Sequence, residues 1–288
     1  MEEESAVKRN FYIPKMYIKN IIGSGASEGL SSFIWKGEPG IGKSFVTLQT
    51  LEELGLDKKK DYAVLSGYAT PLELYTFLYK NRNKIIVLDD IPNIFENETS
   101  YHLLLSVLWT VTNERMVYYL SSSDKLEVPN EFEFKGKIIF LTNRMPKESS
   151  SLKSRCLFYE MRLVYWQKLE IMEEIAKERN IPNEVISFIR NNTDETTKNF
   201  NMRTLVKING LFERNRENWQ MLAIEQLESD EMMKLVKTIC ATAERPSKQV
   251  KMFVEATGHS RRTFYRLKEK LAENAISKET YIYNADLA

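Results

Sequence analysis

The sequence predicts an α/β domain built on a parallel sheet covered on both faces, followed by an all-helical C-terminal half. Three observations predict it. Short, continuously apolar runs recur through the first 163 residues, as strands buried on both sides require. Helical patterns alternate with those runs, which implies crossover connections and a three-layer arrangement. Beyond about residue 163 the apolar spacing becomes helical throughout, with charged outer faces.

The elements follow in order. Residues 1–30 are mixed, with scattered aromatics and a loop-like Gly23-Ser24-Gly25. Ser32 to Lys36 is a buried strand. It runs into Gly37-Glu38-Pro39-Gly40-Ile41-Gly42-Lys43-Ser44 and then a helix to about Leu54. Tyr62 to Ser66 is a second strand, and Pro71 to Tyr79 a helix with proline suited to its first turn. Lys84 to Asp90 is a third strand, apolar until it ends in two acids. Tyr101 to Val111 is helical, Lys137 to Asn143 a fourth strand and Cys156 to Met161 a fifth. Met116–Leu120 and Phe132–Lys135 read as two further β runs, joined by Ser121–Pro129. The expected division is 1–163 as the α/β domain, 164–226 as a helical lid and 228–288 as a terminal helical domain.

Composition narrows the function classes. The chain of 288 residues is 43% hydrophobic and 28% charged, ordinary for a globular protein, and its net charge is +1. A surface that coats nucleic acid overall is excluded, so any basic patch is local. Cys156 and Cys240 form no C-x-x-C pair, and the histidines are His102 and His259, so neither a zinc site nor a disulfide framework is expected. The acidic start, Met1-Glu2-Glu3-Glu4-Ser5, is unlike a signal peptide, and no apolar run nears the roughly 18 residues of a membrane span. A cytoplasmic location is the expectation, with no membrane partner.

Gly37-x-x-x-x-Gly42-Lys43-Ser44 is a complete Walker A pattern, with a strand before it and a helix after. Glycines let successive backbone N–H groups turn inward around phosphates, and the helix N-terminus adds partial positive charge. Gly37, Gly40, Ile41, Gly42, Lys43, Ser44 and Phe45 are therefore the candidate nucleotide contacts. Lys43 is expected at the β- and γ-phosphates of ATP, and the Ser44 hydroxyl on magnesium. Asp89 and Asp90 end the third strand in the manner of a Walker B motif. Asp89 is the second candidate ligand for Mg2+, and Asp90 the candidate base that orients the attacking water. Asn143 ends the fourth strand, where an amide can hold the same water from the other side. The alternatives are a surface carboxylate pair for the aspartates and simple strand capping for the asparagine.

The order of these and later motifs resembles the AAA+ family of P-loop ATPases over about residues 30–215. Ser154-Arg155-Cys156 resembles the Ser-Arg-Cys arginine-finger motif of sliding-clamp loaders, which implies that Arg155 enters a neighbouring subunit's ATP site; Arg144 is the rival. Asn201-Met202-Arg203-Thr204-Leu205 resembles the sensor 2 segment, which implies that Arg203 touches the nucleotide. Val87-Leu88-Asp89-Asp90-Ile91 resembles the bacterial replication initiator, helicase loaders and transposase-associated ATPases of the IstB type. Gly67 to Tyr75 and Ser123 to Pro129 resemble segments of ATPases of phages, plasmids and archaeal elements. Where the family has glutamate at the second Walker B position, this chain has the shorter Asp90. The resemblance implies a homo-oligomer, ring or spiral, with a helicase or transposase as a possible partner.

Two elements are candidates for contact with DNA. The β runs between the third helix and the fourth strand match a hairpin that some AAA+ helicases project into a pore, with Lys125 near its tip; the alternative is an edge ribbon packed on the sheet. In the C-terminal domain, Pro246 to Thr257 reads as a helix, Gly258-His259-Ser260 as a tight turn and Arg261 to Glu273 as a second helix, a helix-turn-helix pattern. From Arg245 to Lys270 there are eight Lys or Arg against two Glu, in a chain of net +1. Phe264, Leu267 and Leu271 mark the buried face. That leaves Arg261, Arg262, Tyr265, Arg266 and Lys268 outside, as candidate DNA contacts. A solvated helix pair or a protein-docking module is the alternative. The functional expectation is an ATP-hydrolysing protein acting on DNA, in replication initiation or helicase loading of a mobile element or virus. The rivals are a nucleotide-switched DNA-binding regulator and a transposition or helicase motor.

Overall fold

A computed structural model describes residues 6–23, 31–108, 114–120, 128–145 and 149–286. The chain divides into two compact units, one of Lys8–Arg162 and one made chiefly by the chain from Leu163 onward.

The first unit opens with a helix, α1 (Ala6–Gly23), over a stretch whose local pattern is mixed. Pro14 lies inside it and argues against a helix on local grounds. Tertiary packing overrides that preference: Ile18 and Ile21 are buried, the Phe11 ring meets Trp35 edge-on at 6.5 Å, and Tyr17 meets Phe33 at 5.4 Å. Next come β1 (Ser32–Gly37), α2 (Lys43–Glu53), β2 (Tyr62–Ser66), α3 (Pro71–Lys80) and β3 (Ile85–Asp89). Thr70 and Glu73 close a reciprocal capping box at the start of α3. After α4 (Asn93–Glu96), α5 (Glu98–Val107) starts three residues earlier than expected, because Asn97 accepts from the Ser100 N–H and caps it there. The stretch expected to carry that helix to Val111 lies partly outside the described residues.

β4 (Met116–Tyr118) and β5 (Glu131–Glu133) pair antiparallel as a two-stranded ribbon. Its base is core: Val117, Phe132 and Phe134 are buried with the α3 and α5 side chains, and Tyr75 stacks on Tyr119 at 5.1 Å. The tip expected at Lys125 lies outside the described residues. Then follow β6 (Lys137–Thr142), α6 (Ser150–Lys153) and β7 (Leu157–Met161).

The five main strands form one fully parallel sheet in the order β2-β3-β6-β1-β7. β6 therefore lies between β1 and β3. All five strands end on the same edge, where open α/β sheets place their ligands. Lys36 and Glu160 face each other across β1 and β7 at 2.8 Å, and Lys36 with Arg162 holds the Glu160 carboxyl below its ordinary pKa.

The second unit is helical, as expected: α7 (Tyr165–Glu178), α8 (Asn183–Asn192), α9 (Met202–Arg214), α10 (Trp219–Ile224), α11 (Glu231–Thr242), α12 (Pro246–Thr257) and α13 (Arg261–Asp286). The last three share a core of Met233, Val236, Ile239, Phe253, Phe264 and Leu267. α12 ends at Gly258, whose φ of +70° is a left-handed cap, and Ser260 Oγ accepts from the Thr263 N–H. α13 does not stop near Glu273 but runs 26 residues; its polar second half lacks the apolar spacing that marks a helix in sequence. No described helix is long and apolar enough to cross a membrane.

Gly136 enters β6 through a tight passage, where a Cβ would lie 2.2 Å from the Lys84 carbonyl oxygen and 2.9 Å from the Phe134 ring. Gly136→Ala is expected to cost about 2 kcal/mol or more of stability, read as a lower melting temperature of the first unit. An unchanged melt would mean that the passage is looser than described.

Candidate functional site

The site forms where three neighbouring strands end. Gly40 and Gly42 have φ of +77° and +92°, so the loop after β1 adopts a conformation that residues with a Cβ rarely reach. Gly37 has a second reason to be glycine, since a Cβ there would lie 2.6 Å from Ile41 Cδ1 and 3.1 Å from the Met161 carbonyl oxygen. The Phe11 ring of α1 lies beside the Gly42 Cα, 3.7 Å from where a Cβ would be. The N-terminus of α2 has no side-chain cap, so its first N–H groups face the loop as donors.

Lys43 is 7% exposed. Its ammonium donates to the carbonyl oxygens of Gly37 and Glu38, both at 2.8 Å, and to Asn143 Oδ1 at 2.9 Å. A buried ammonium beside the loop carbonyls suits an anion such as a phosphate. Uncapped helix N–H groups, left-handed glycines and a buried lysine together fit a polyphosphate.

One turn into the sheet edge, Ser44 Oγ donates to Asp89 Oδ1 at 2.9 Å. A hydroxyl and a carboxylate this close are hard oxygen donors suited to Mg2+. Asp90 follows with φ of +51°, an uncommon conformation for aspartate. Its N–H donates to the Leu141 carbonyl at 2.9 Å, which ties the turn to β6. Asn143 Nδ2 donates to Asp90 Oδ1 at 2.9 Å. One amide thus reaches Lys43 with its oxygen and Asp90 with its nitrogen. Strands lie about 4.8 Å apart, so a residue at the end of β6 is the natural bridge between groups following β1 and β3.

Ile41 is buried beneath the loop, and Phe45 is 56% exposed on α2. Arg144 is exposed on the same sheet edge as the phosphate loop, its N–H held by Thr142 Oγ1 at 3.2 Å. Arg155 precedes β7, whose first residue Leu157 lies opposite Phe33 near the start of β1. It therefore lies at the opposite edge of the sheet from its own phosphate loop, and its guanidinium donates to the Ser151 carbonyl at 2.9 Å. Within one copy the two do not meet. Arg203 is exposed in the first turn of α9, in the second unit, with its N–H on the capping Asn201 Oδ1 at 2.9 Å.

On α13, Arg261, Arg262, Tyr265 and Arg266 are exposed and with Glu269 line a concavity of about 580 Å³; the Arg261 guanidinium lies 5.3 Å from the Tyr265 ring centre. Lys268, expected on the same outer face, is half-buried instead. Its ammonium donates to Gln249 Oε1 of α12 at 2.8 Å. Gln249 is buried between the helices and needs a donor, which sequence spacing alone does not reveal. Asn274 was not singled out in the sequence. It is 3% exposed, and its Oδ1 accepts from the Tyr165 N–H of α7 at 2.8 Å.

No family model matches the chain. An uncharacterized 36.7 kDa protein from the nrdC-mobD intergenic region of Enterobacteria phage T4 is 21% identical over 246 residues, covering 76% of this chain and 74% of that one. Among solved structures, the Thermotoga maritima RuvB Holliday junction branch migration motor aligns at 16% identity with a TM-score of 0.47, over 82% of this chain and 75% of that one. A RuvB variant from the same organism aligns at 14% identity with a TM-score of 0.47, over 88% and 82%.

Cys156 is partly buried against the core of the first unit. Burial pushes the Cys156 thiol up to about 12, against weaker opposing effects from Ser32 and Arg155. At pH 8 only about one Cys156 in 10⁴ is then a thiolate, the form that alkylates. Cys156 in the folded chain is expected to resist iodoacetamide at pH 8 and to react once denatured. Rapid labelling of the native protein at that residue would contradict the raised thiol pKa.

Proposed function

We propose that the chain is an AAA+ ATPase that hydrolyses ATP with magnesium and acts on DNA, in replication initiation or helicase loading of a mobile element or virus. The observation that carries the ATPase reading is the convergence of Lys43, Asn143 and Asp90 in one hydrogen-bonded line, beside the Ser44–Asp89 pair. The sheet order with β6 between β1 and β3 supports the AAA+ reading, and the phage T4 relative supports the viral setting.

In this reading the α2 N-terminus, the loop from Gly37 to Gly42 and Lys43 hold the β- and γ-phosphates. Ser44 and Asp89 would hold Mg2+, which when bound neutralises charge between the β- and γ-phosphates. Asp90 orients the attacking water and takes its proton. Asn143 fixes the Asp90 carboxylate and the same water, so that attack runs in line with the departing ADP oxygen. Because Arg155 lies across the sheet from its own phosphate loop, its role as a finger requires a second copy, hence a homo-oligomer, ring or spiral. Arg203 reports the nucleotide to the lid. The exposed Arg261, Arg262, Tyr265 and Arg266 face duplex DNA, while Lys268 contributes by holding α12 to α13. A helicase or transposase is the partner class this reading implies.

One observation favours a nucleotide-switched regulator as a second reading. Asp90 is a short carboxylate already held by Asn143, an arrangement suited to slow turnover. Hydrolysis stimulated by DNA favours the loader, and slow hydrolysis indifferent to DNA, with ATP-dependent assembly, favours the switch.

Lys43→Ala should abolish ATP binding, whereas Asp90→Asn should retain binding and lower turnover by about 10²–10⁴. ATP hydrolysis and ATP-analogue binding on the same preparations separate the two, and normal turnover by Lys43→Ala would sink the ATPase reading. For DNA, four or five neutralised phosphates predict that log K falls against log salt with a slope of roughly −4. Titration of a labelled duplex at several salt concentrations measures it; binding indifferent to salt would point to a protein partner for α13.

A further inference from the structure

The helix that carries the exposed arginines also closes the start of the first lid helix. α13 is continuous from Arg261 to Asp286. Asn274 lies 13 positions beyond Arg261, or about 20 Å along the helix axis. Its carbonyl oxygen accepts from the Tyr165 N–H at 2.8 Å, and its amide donates to its own helix at the Lys270 carbonyl, also at 2.8 Å. α7 has no side-chain cap of its own at Val164. The donor that would otherwise be left over at its N-terminus is satisfied from a helix more than a hundred residues away. Lys278 of α13 adds a contact 5.3 Å from the Trp166 ring centre.

Tyr165 passes the connection on. Its hydroxyl donates to the Thr193 carbonyl at 3.0 Å, and its ring lies 4.7 Å from Phe200. Phe200 immediately precedes Asn201, the residue that caps α9 and holds the Arg203 N–H. Asn274 and Tyr165 are both nearly inaccessible, at 3% and 6%. At this same end, α7 follows β7 after three residues, and Met161 of β7 is in register with Gly37, the first glycine of the phosphate loop.

We propose that Asn274 is a positioning residue that makes α13 a lever: through the Tyr165 N–H it joins the arginine-bearing end of α13 to α7 and to the helix start that carries Arg203, so that duplex binding and nucleotide binding are coupled. This rests on the functional reading above, in which α13 meets DNA and Arg203 meets the nucleotide. Coupling of this kind is reciprocal. If ATP changes duplex affinity by some factor, duplex changes ATP affinity by the same factor, commonly 5–150-fold in coupled systems, roughly.

The test measures duplex affinity of the full chain by fluorescence anisotropy, with and without a non-hydrolysable ATP analogue and Mg2+. The unaltered chain should show at least about a fivefold ratio between the two conditions. Asn274→Ala should bring that ratio to about one, while duplex affinity without nucleotide and ATP hydrolysis without DNA stay within about twofold. Asn274→Asp, which keeps an oxygen for the Tyr165 N–H, should restore the ratio; a mere loss of packing would not be rescued this way. Hydrogen exchange at the Tyr165 amide of the unaltered chain gives a readout that needs no variant, and duplex should change its protection. An Asn274→Ala chain with the full ratio, an Asn274→Asp chain that behaves like alanine, or a Tyr165 amide indifferent to duplex overturns the proposal. A duplex that binds with no nucleotide dependence removes the coupling but leaves the functional reading standing. A duplex that does not bind the unaltered chain removes that reading, and the lever with it.

Discussion

A buried ammonium governs the first unit. Lys43 is almost inaccessible, and the oxygens it reaches include those of Gly37, Glu38 and Asn143. Burying such a charge is costly unless something compensates it. The fold supplies carbonyl dipoles from the loop and an amide from the strand two places along from β7. Left-handed glycines let the loop turn its carbonyls onto Lys43, and β6 must lie between β1 and β3 for Asn143 to reach both Lys43 and Asp90. A polyphosphate would offer this ammonium a charged partner.

Much of this was legible in the sequence because the signals are local. The glycine spacing before Lys43, the two acids closing an apolar run and the asparagine closing the next one each sit at a strand end, and the parallel sheet collects strand ends on one edge. The five main strands were readable for a similar reason: each is a short apolar run bounded by polar residues. The Thr70 and Glu73 capping box is equally local.

What the sequence hid depends on partners distant along the chain. α1 carries Pro14 and a glycine-rich exit, so its local preferences argue against the helix that packing on Phe33 and Trp35 enforces. Lys268 belongs by spacing to the outer face of α13, yet the buried Gln249 on α12 draws its ammonium inward. Asn274 continues the Phe264, Leu267 and Leu271 spacing as a polar residue, and its partner, the Tyr165 N–H of α7, cannot be read from α13 alone. Arg155 was legible as a motif, but only the register of β7 against β1 shows that it lies away from its own phosphate loop.

The account stands or falls on whether the pocket around Lys43 takes a nucleoside triphosphate through its phosphates. The most direct measurement is calorimetric titration of the full chain with ATP at several magnesium concentrations, with ADP and adenosine as comparisons. The account predicts binding that strengthens with magnesium, is shared by ADP and is absent for adenosine, because the charged partner of Lys43 and the Ser44–Asp89 pair are both phosphate-side features. Adenosine binding as tightly as ATP, or no ATP binding at any magnesium concentration, would contradict it.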